Sequence, residues 1–458
     1  MKKILTAVIC ILAAASSVCI AADREHTLKV YNWADYIDED LIEEFEQWYE
    51  EQTGEPVEII YQLFDINEVM LSKIEKGHED FDVVCPSEYI IERMLRADLL
   101  LPIDKDFGDT PNYIGNVAPF MNDFLSQVDG NGKDANDYAV PYMWGTVGIT
   151  YNPKYVSAEE VSSWDVLKDP RFEGKVLMKE AFRDVYTTFN IALNRDRIDS
   201  GETTVEELSY DASPESIARV EAYLNEMKPN IAGWEADFGK EMMTKEKAWM
   251  NLTWSGDAQW AIEEAEAVGV PLDYVVPADG SIVWFDGWVI PKYAKNVEAA
   301  RYFINFMCKP ENALRNMDVI GYVSAIGGDE ILEAMSDSTK YAPIDAGYFF
   351  GERGKGACLN PIMYPDASIM EYCGMMHDRG TEDLLAMWSR VKGDNAGGLT
   401  VVIIAGIVVL LIAAVVPGGR FCHRHQPKMS INHKCAIIST IALIFNVLNL
   451  KIAHAAGF

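Results

Sequence analysis

Basic residues are scarce in this chain. Lys and Arg total 39 against 71 Asp and Glu, giving a formal charge of −32 and a pI near 4.5. Phosphate recognition needs a basic face, so the composition argues against nucleic acid as a partner. It suits a cationic ligand drawn in by a negative field, although acidity also serves solubility alone. Histidine is nearly as scarce, at seven residues. Only His26, His78 and His377 fall in the central body, without metal-ligand spacing. The eight cysteines include no CxxC pair, which disfavours zinc and thioredoxin chemistry. Cys10 and Cys19 lie near the start, Cys422 and Cys435 near the end, and Cys85, Cys308, Cys358 and Cys373 between them. A Cys358–Cys373 disulfide is compatible with export, but spacing does not establish its geometry. No GxSxG, HExxH or P-loop pattern occurs, and no carboxylate pair stands out as a glycosidase pair. The reading is therefore of a non-enzyme with no cofactor and no bound metal.

Apolar residues make up 49% of the 458 and aromatics 11%, enough to fold more than one core. The two ends read as targeting and membrane segments. Lys2 and Lys3, the apolar run Ile4–Ala15 and the small residues Ala21 and Ala22 form a signal-peptide pattern over 1–22. Val18 is a poor neighbour for lipidation at Cys19. Residues 399–416 form an uncharged apolar run near the ~20 residues a membrane helix needs. Arg420, Arg424 and Lys428 follow it, and positive flanks stay cytoplasmic, so the body is expected outside. The basic tail 417–458 carries a second apolar segment. It reads equally as another membrane segment at 436–450 or as a fused leader from Met429.

The body alternates strand and helix. Leu28–Tyr31, Val57–Tyr61 and Phe81–Val84 read as strands, with helices at Asp38–Glu51 and Asn67–Lys76. The rhythm returns with strands at Lys175–Met178 and Val275–Val276 and helices at Pro214–Met227 and Val297–Cys308. Strand–helix–strand order implies two α/β sheets built on parallel crossovers, with ligands at the carboxyl ends of strands.

Aromatics and carboxylates recur together just after these apolar runs. They occur in Tyr31-Asn32-Trp33-Ala34-Asp35-Tyr36, Ser87-Glu88-Tyr89, Trp254-Ser255-Gly256-Asp257 and Trp284-Phe285-Asp286. A buried ammonium requires a carboxylate, and methylenes favour flat apolar walls that also attract cations. Alternating amines and methylenes describe a polyamine. Each residue also has a plainer explanation: Trp as packing, Asp35 as a turn former, Ser87 as a helix N-cap.

These segments, with Asp82-Val83-Val84-Cys85-Pro86-Ser87, Pro141-Tyr142-Met143-Trp144-Gly145-Thr146 and Ile320-Gly321-Tyr322, resemble the bacterial spermidine/putrescine-binding proteins. Those are substrate-binding subunits of polyamine ABC importers, and the resemblance runs in order from about Leu28 to Lys392. It implies the periplasmic-binding-protein fold: two α/β lobes joined by crossing hinge strands, closing on ligand. The implied division is lobe 1 at 23–140 and 286–318, and lobe 2 at 141–285 and 319–395. The implied ligand-binding residues are Trp33, Asp35, Tyr36, Ser87, Tyr89, Asp184, Trp254, Asp257, Trp284, Asp286 and Tyr322. Asp286 matches the central amine's partner, and Asp184 another amine-binding carboxylate. Two departures stand out. Ala34 replaces a frequent hydroxyl residue, and Ala181, beside Glu180, stands where spermidine-preferring members carry an Asp. Asp35 and Asp257 lean towards the putrescine pattern, and Arg183 and Trp284 lean the other way. The implied partners are a polyamine, ABC permease subunits and, through 399–416, the membrane. The alternatives are a membrane-tethered sensor or a receptor for another small cationic solute.

Overall fold

The computed structural model describes residues 24–236 and 238–393. The expected leader, the apolar run at 399–416 and the tail lie outside the described residues. Among the described residues, no helix is long and apolar enough to cross a membrane.

Strand β1 (Thr27–Trp33) pairs in parallel with β2 (Glu58–Phe64) and with β3 (Val83–Val84). The helix Asp40–Thr53 makes the first crossover, burying Leu41, Phe45 and Tyr49 at helical spacing. The helices Asn67–Glu75 and Glu88–Arg96 follow β2 and β3. After β4 (Leu100–Leu101) the chain enters β5 (Ala139–Tyr151), in which every residue is buried. A strand covered on both faces need not alternate apolar and polar residues, so periodicity does not mark it.

The second half carries β6 (Val176–Lys179), β7 (Ile231–Glu235) and β8 (Met250–Trp254). β6 runs parallel to both β7 and β8, and β8 runs antiparallel to the far end of β5, as does β9 (Asp273–Val275). β10 (Ser281–Pro291) then pairs antiparallel with β5 from Val283 to Val289 and reaches β3 and β4 in the first half. The main strand order is β2-β1-β3-β10-β5-β8-β6-β7. The halves are thus two parallel sheets joined by an antiparallel pair, β5 and β10, that passes from one to the other. β11 (Val323–Ser324) adds to β5, β12 (Ile344–Asp345) and β13 (Lys355–Ala357) pair separately, and β14 (Cys373–Gly374) adds to β10.

Each half has its own core. Val30, Phe45, Phe303 and Trp288 anchor the first, which also takes in Ile326, Phe349 and Tyr364. Ile149, Trp164, Phe189, Leu224 and Trp388 anchor the second. Helices form where the sequence places their caps. Ser213 accepts from Ser216 N at 3.3 Å ahead of Pro214–Met227, and Asn296 accepts from Ala299 N at 3.1 Å ahead of Val297–Met307. Cys358 and Cys373 are both free thiols, so the disulfide left open by the spacing is not formed.

Candidate functional site

A cleft of about 410 Å³ opens where β5 and β10 cross between the halves. The first half supplies Trp33 at the end of β1 and Tyr36 beyond it, Asn67 and Glu68 after β2, and Ser87 and Tyr89 after β3. The second supplies Arg183, Asp184 and Trp254, while β10 contributes Trp284 and Asp286. Tyr322 follows the helix Pro310–Ile320. Most of these residues stand at carboxyl ends of strands, the usual ligand position in such sheets.

Asp286 sits at the centre. The β5–β10 register shifts between Asp286 and Gly287, and such a bulge re-aims a side chain locally. The Asp286 side chain is buried and bonded to residues of the first half. Tyr36 Oη donates to Oδ2 at 2.8 Å and Ser87 Oγ donates to Oδ1 at 2.7 Å. Ser87 does occupy the N-cap position of the helix Glu88–Arg96, but its side chain makes no cap hydrogen bond and turns to Asp286 instead. The Tyr36 backbone is fixed by Asn32 Nδ2 and Tyr142 Oη, which both donate to its carbonyl at 3.1 Å. Asn67 Nδ2 donates to Ser87 Oγ at 3.0 Å and to Tyr89 Oη at 3.1 Å, ordering the contact loop.

Asp184 lies in the first turn of the helix Phe182–Ala192, where exposed amides favour a negative charge. Trp254 Nε1 donates to its Oδ1 at 2.8 Å. Burial pushes the carboxyl of Asp184 up to about 6 against the pull of that hydrogen bond. Burial likewise pushes Asp286 up to about 6, and the negative charge of Asp184 adds to the rise. Among the described residues, neither carboxylate forms an ion pair with a protein cation. Lys179 and Arg183 offset part of the burial cost of Asp184 from a distance, and a cationic ligand in direct contact offsets the rest for both acids.

The walls are aromatic. Trp284 and Tyr322 meet edge to face at 5.0 Å, Trp254 and Trp284 at 6.4 Å, and Tyr36 and Tyr322 at 6.1 Å. Tyr322 owes its place to two glycines. Gly321 takes φ 81° to end the preceding helix, and a Cβ on Gly256 would stand 2.2 Å from the Tyr322 ring. Five carboxylate residues line the cleft, Asp65, Glu68, Glu180, Asp184 and Asp286, against Arg183 as the lining cation. Arg183 is itself engaged by Asp378 at 3.3 Å and lies over the Tyr89 ring at 4.7 Å.

Nine of the eleven expected residues line this cleft, and Asp35 and Asp257 do not. Asp35 is exposed and takes φ 52°, the left-handed conformation of a turn residue. Asp257 lies behind the cleft wall, where Lys179 Nζ is 2.6 Å from its Oδ2 and Tyr322 Oη donates to its Oδ1 at 3.2 Å. Residues outside the expected set include Asp65, Asn67, Glu68, Glu180 and Arg183 on the lining and Lys179 behind it. The signal for Lys179 is a lone cation closing the apolar strand Val176-Leu177-Met178-Lys179.

Comparison with known proteins agrees with this geometry. Residues 40–328 match the family described as bacterial extracellular solute-binding protein. The spermidine/putrescine-binding periplasmic protein of Escherichia coli K12 is 31% identical over 329 residues, covering 70% of this chain and 84% of that protein. The putrescine-binding periplasmic protein PotF of the same organism is 29% identical, covering 71% and 84%. Among solved structures, the spermidine/putrescine ABC transporter substrate-binding protein PotD of Streptococcus pneumoniae superposes with a TM-score of 0.60 at 29% identity. It covers 80% of this chain and 98% of that one. The two-lobed, mixed α/β fold is common to both.

Proposed function

Because this chain belongs to the bacterial extracellular solute-binding protein family, we propose that it is the polyamine-binding subunit of an ABC importer. It takes up spermidine or putrescine outside the cytoplasmic membrane and delivers it to the permease. The observation that carries this reading is the pair of buried carboxylates, Asp184 and Asp286, set in an aromatic cleft without protein cations of their own among the described residues. Each carboxylate meets one ammonium group. The methylenes between them lie along Trp33, Trp254, Trp284 and Tyr322, whose faces also attract the cation. Ser87, Tyr36 and Tyr89 orient the contact loops.

Binding is coupled to lobe movement. The first half supplies Tyr36 and Ser87, while the second supplies Asp184 and Trp254. A ligand touching both favours the closed form, and the permease reads that form. Residues 1–22 direct export, and residues 399–416 tether the receptor to the membrane. Like its named relatives, the chain binds and hands over its solute and performs no chemistry on it. Titration calorimetry with putrescine and spermidine tests the reading.

A further inference from the structure

Lys179 is a buried cation directly behind the aromatic wall of the cleft, where Lys240 also approaches Asp257 Oδ1 at 3.7 Å, and its surroundings are those of a bound amine. It closes β6 and is only 1% exposed. Its Nζ lies 2.6 Å from Asp257 Oδ2 and 3.3 Å from Glu235 Oε1, and donates to the Ala236 carbonyl at 2.7 Å. It also lies 4.4 Å from the centroid of the Trp254 ring. Carboxylates, a carbonyl and an indole face are what the cleft would offer a ligand ammonium. Here the chain's own side chain has taken them.

We propose that Lys179 is a built-in occupant of the inner amine position and makes the site select a diamine over a longer polyamine. The inference rests on the polyamine reading above. Trp254 and Tyr322 line the cleft on one side and contact Lys179 and Asp257 on the other. The inner end is therefore closed by a fixed positive charge with its counter-ions already matched. A ligand ammonium pressed towards that end meets a like charge and finds Asp257 engaged. Asp184 and Asp286 remain, two buried carboxylates for two ammonium groups. A third ammonium would have to turn outward, to carboxylates that hold it less well. There Asp65 is exposed, Glu180 is paired with Lys392, and Glu68 is half-buried and already accepts from Tyr89 Oη at 3.5 Å.

The test is calorimetry of putrescine and spermidine binding to the full chain, as wild type, Lys179→Thr, Asp257→Asn and the double variant. The wild type should bind putrescine at least about tenfold more tightly than spermidine. Lys179→Thr should shrink that ratio by about tenfold or more, through gained spermidine affinity as Asp257 Oδ2 loses its 2.6 Å partner, with Lys240 left at 3.7 Å from Oδ1. Adding Asp257→Asn to it should abolish the gain. Asp257→Asn alone should leave putrescine affinity within about threefold. A merely structural role for Lys179 would weaken both ligands together and leave the ratio fixed. A wild type that prefers spermidine, or an unchanged ratio in folded Lys179→Thr, overturns the inference while leaving the polyamine reading intact. If Lys179→Thr does not fold, a loss above about tenfold in putrescine affinity for Asp257→Asn overturns it. Binding of neither amine by folded wild type removes the polyamine reading, and this inference with it.

Discussion

Ser87 and Asp286, 199 residues apart in sequence, meet through a 2.7 Å hydrogen bond in which the serine hydroxyl donates to the carboxylate. Ser87 follows a strand of the first half, and Asp286 sits at the bulge of the strand that crosses to the second. The bond therefore pins the central acid of the cleft at the junction of the two halves.

Asp286→Asn should weaken polyamine binding strongly, because an ammonium loses its buried charged partner. Truncating one member of such a pair costs on the order of 2–5 kcal/mol, roughly thirtyfold or more in affinity. The ligand-free variant should melt no lower than wild type, since it no longer buries an unpaired acid. Calorimetry and thermal denaturation check both parts. Near-unchanged affinity removes Asp286 from the site.

Polyamine affinity should rise with pH between about 5 and 7, since Asp184 and Asp286 are held up to about 6 and bind ammonium as carboxylates. Binding near pH 6 should release protons, seen as calorimetric heats that depend on the buffer's ionisation enthalpy. The ligand-free protein should show the opposite trend in stability. Its two acids have folded pKa values above their unfolded ones, so the native state holds more protons. Their contribution is full below about pH 4 and is lost as pH rises through 6. A flat affinity profile contradicts the assignment.

Trp254→Phe separates the ring from its hydrogen bond. The aromatic wall remains, but Asp184 loses the indole donor that lowers its pKa. A hydrogen bond to a charged group contributes about 1.5–3 kcal/mol, so affinity at pH 6 should fall by about tenfold or more. The deficit should narrow by pH 8, where Asp184 is ionised in both proteins. An equal loss at both pH values would mean that only packing was disturbed.

Glu92 should matter for stability rather than for ligand. It is fully buried and meets Arg96 at 2.6 Å, Arg379 at 2.8 Å and His377 Nδ1 at 2.7 Å. Glu92→Ala strips these groups of their shared acid, and breaking a buried pair costs about 3–5 kcal/mol. Urea denaturation measures this. A loss below about 1 kcal/mol would show the network to be dispensable.

Much of this fold was legible in the sequence where one face of an element is buried and the other is not. The helix Pro214–Met227 has the bounds its spacing predicts, β1 extends the run read at Leu28–Tyr31, and β2 overlaps the run read at Val57–Tyr61 but starts one residue later and runs on to Phe64. The crossing strands were not legible, because β5 and β10 are buried on both faces and carry no alternation. The recurrence of aromatics and acids at strand ends located the cleft, but it could not say which acids face it. Asp257 and Asp286 both follow a tryptophan closely in sequence. What separates them is Lys179, 78 residues before Asp257, which pairs with one and not the other. Asp35 is exposed, and its φ of 52° is the left-handed conformation of a turn residue, a feature that spacing does not reveal.

The most direct measurement is titration of the purified, ligand-stripped protein with putrescine and with spermidine by calorimetry, alongside thermal denaturation. Saturable one-to-one binding of at least one of them, with a raised melting temperature, is the predicted result. No heat and no stabilisation from either amine, in protein shown to be folded, would contradict the account.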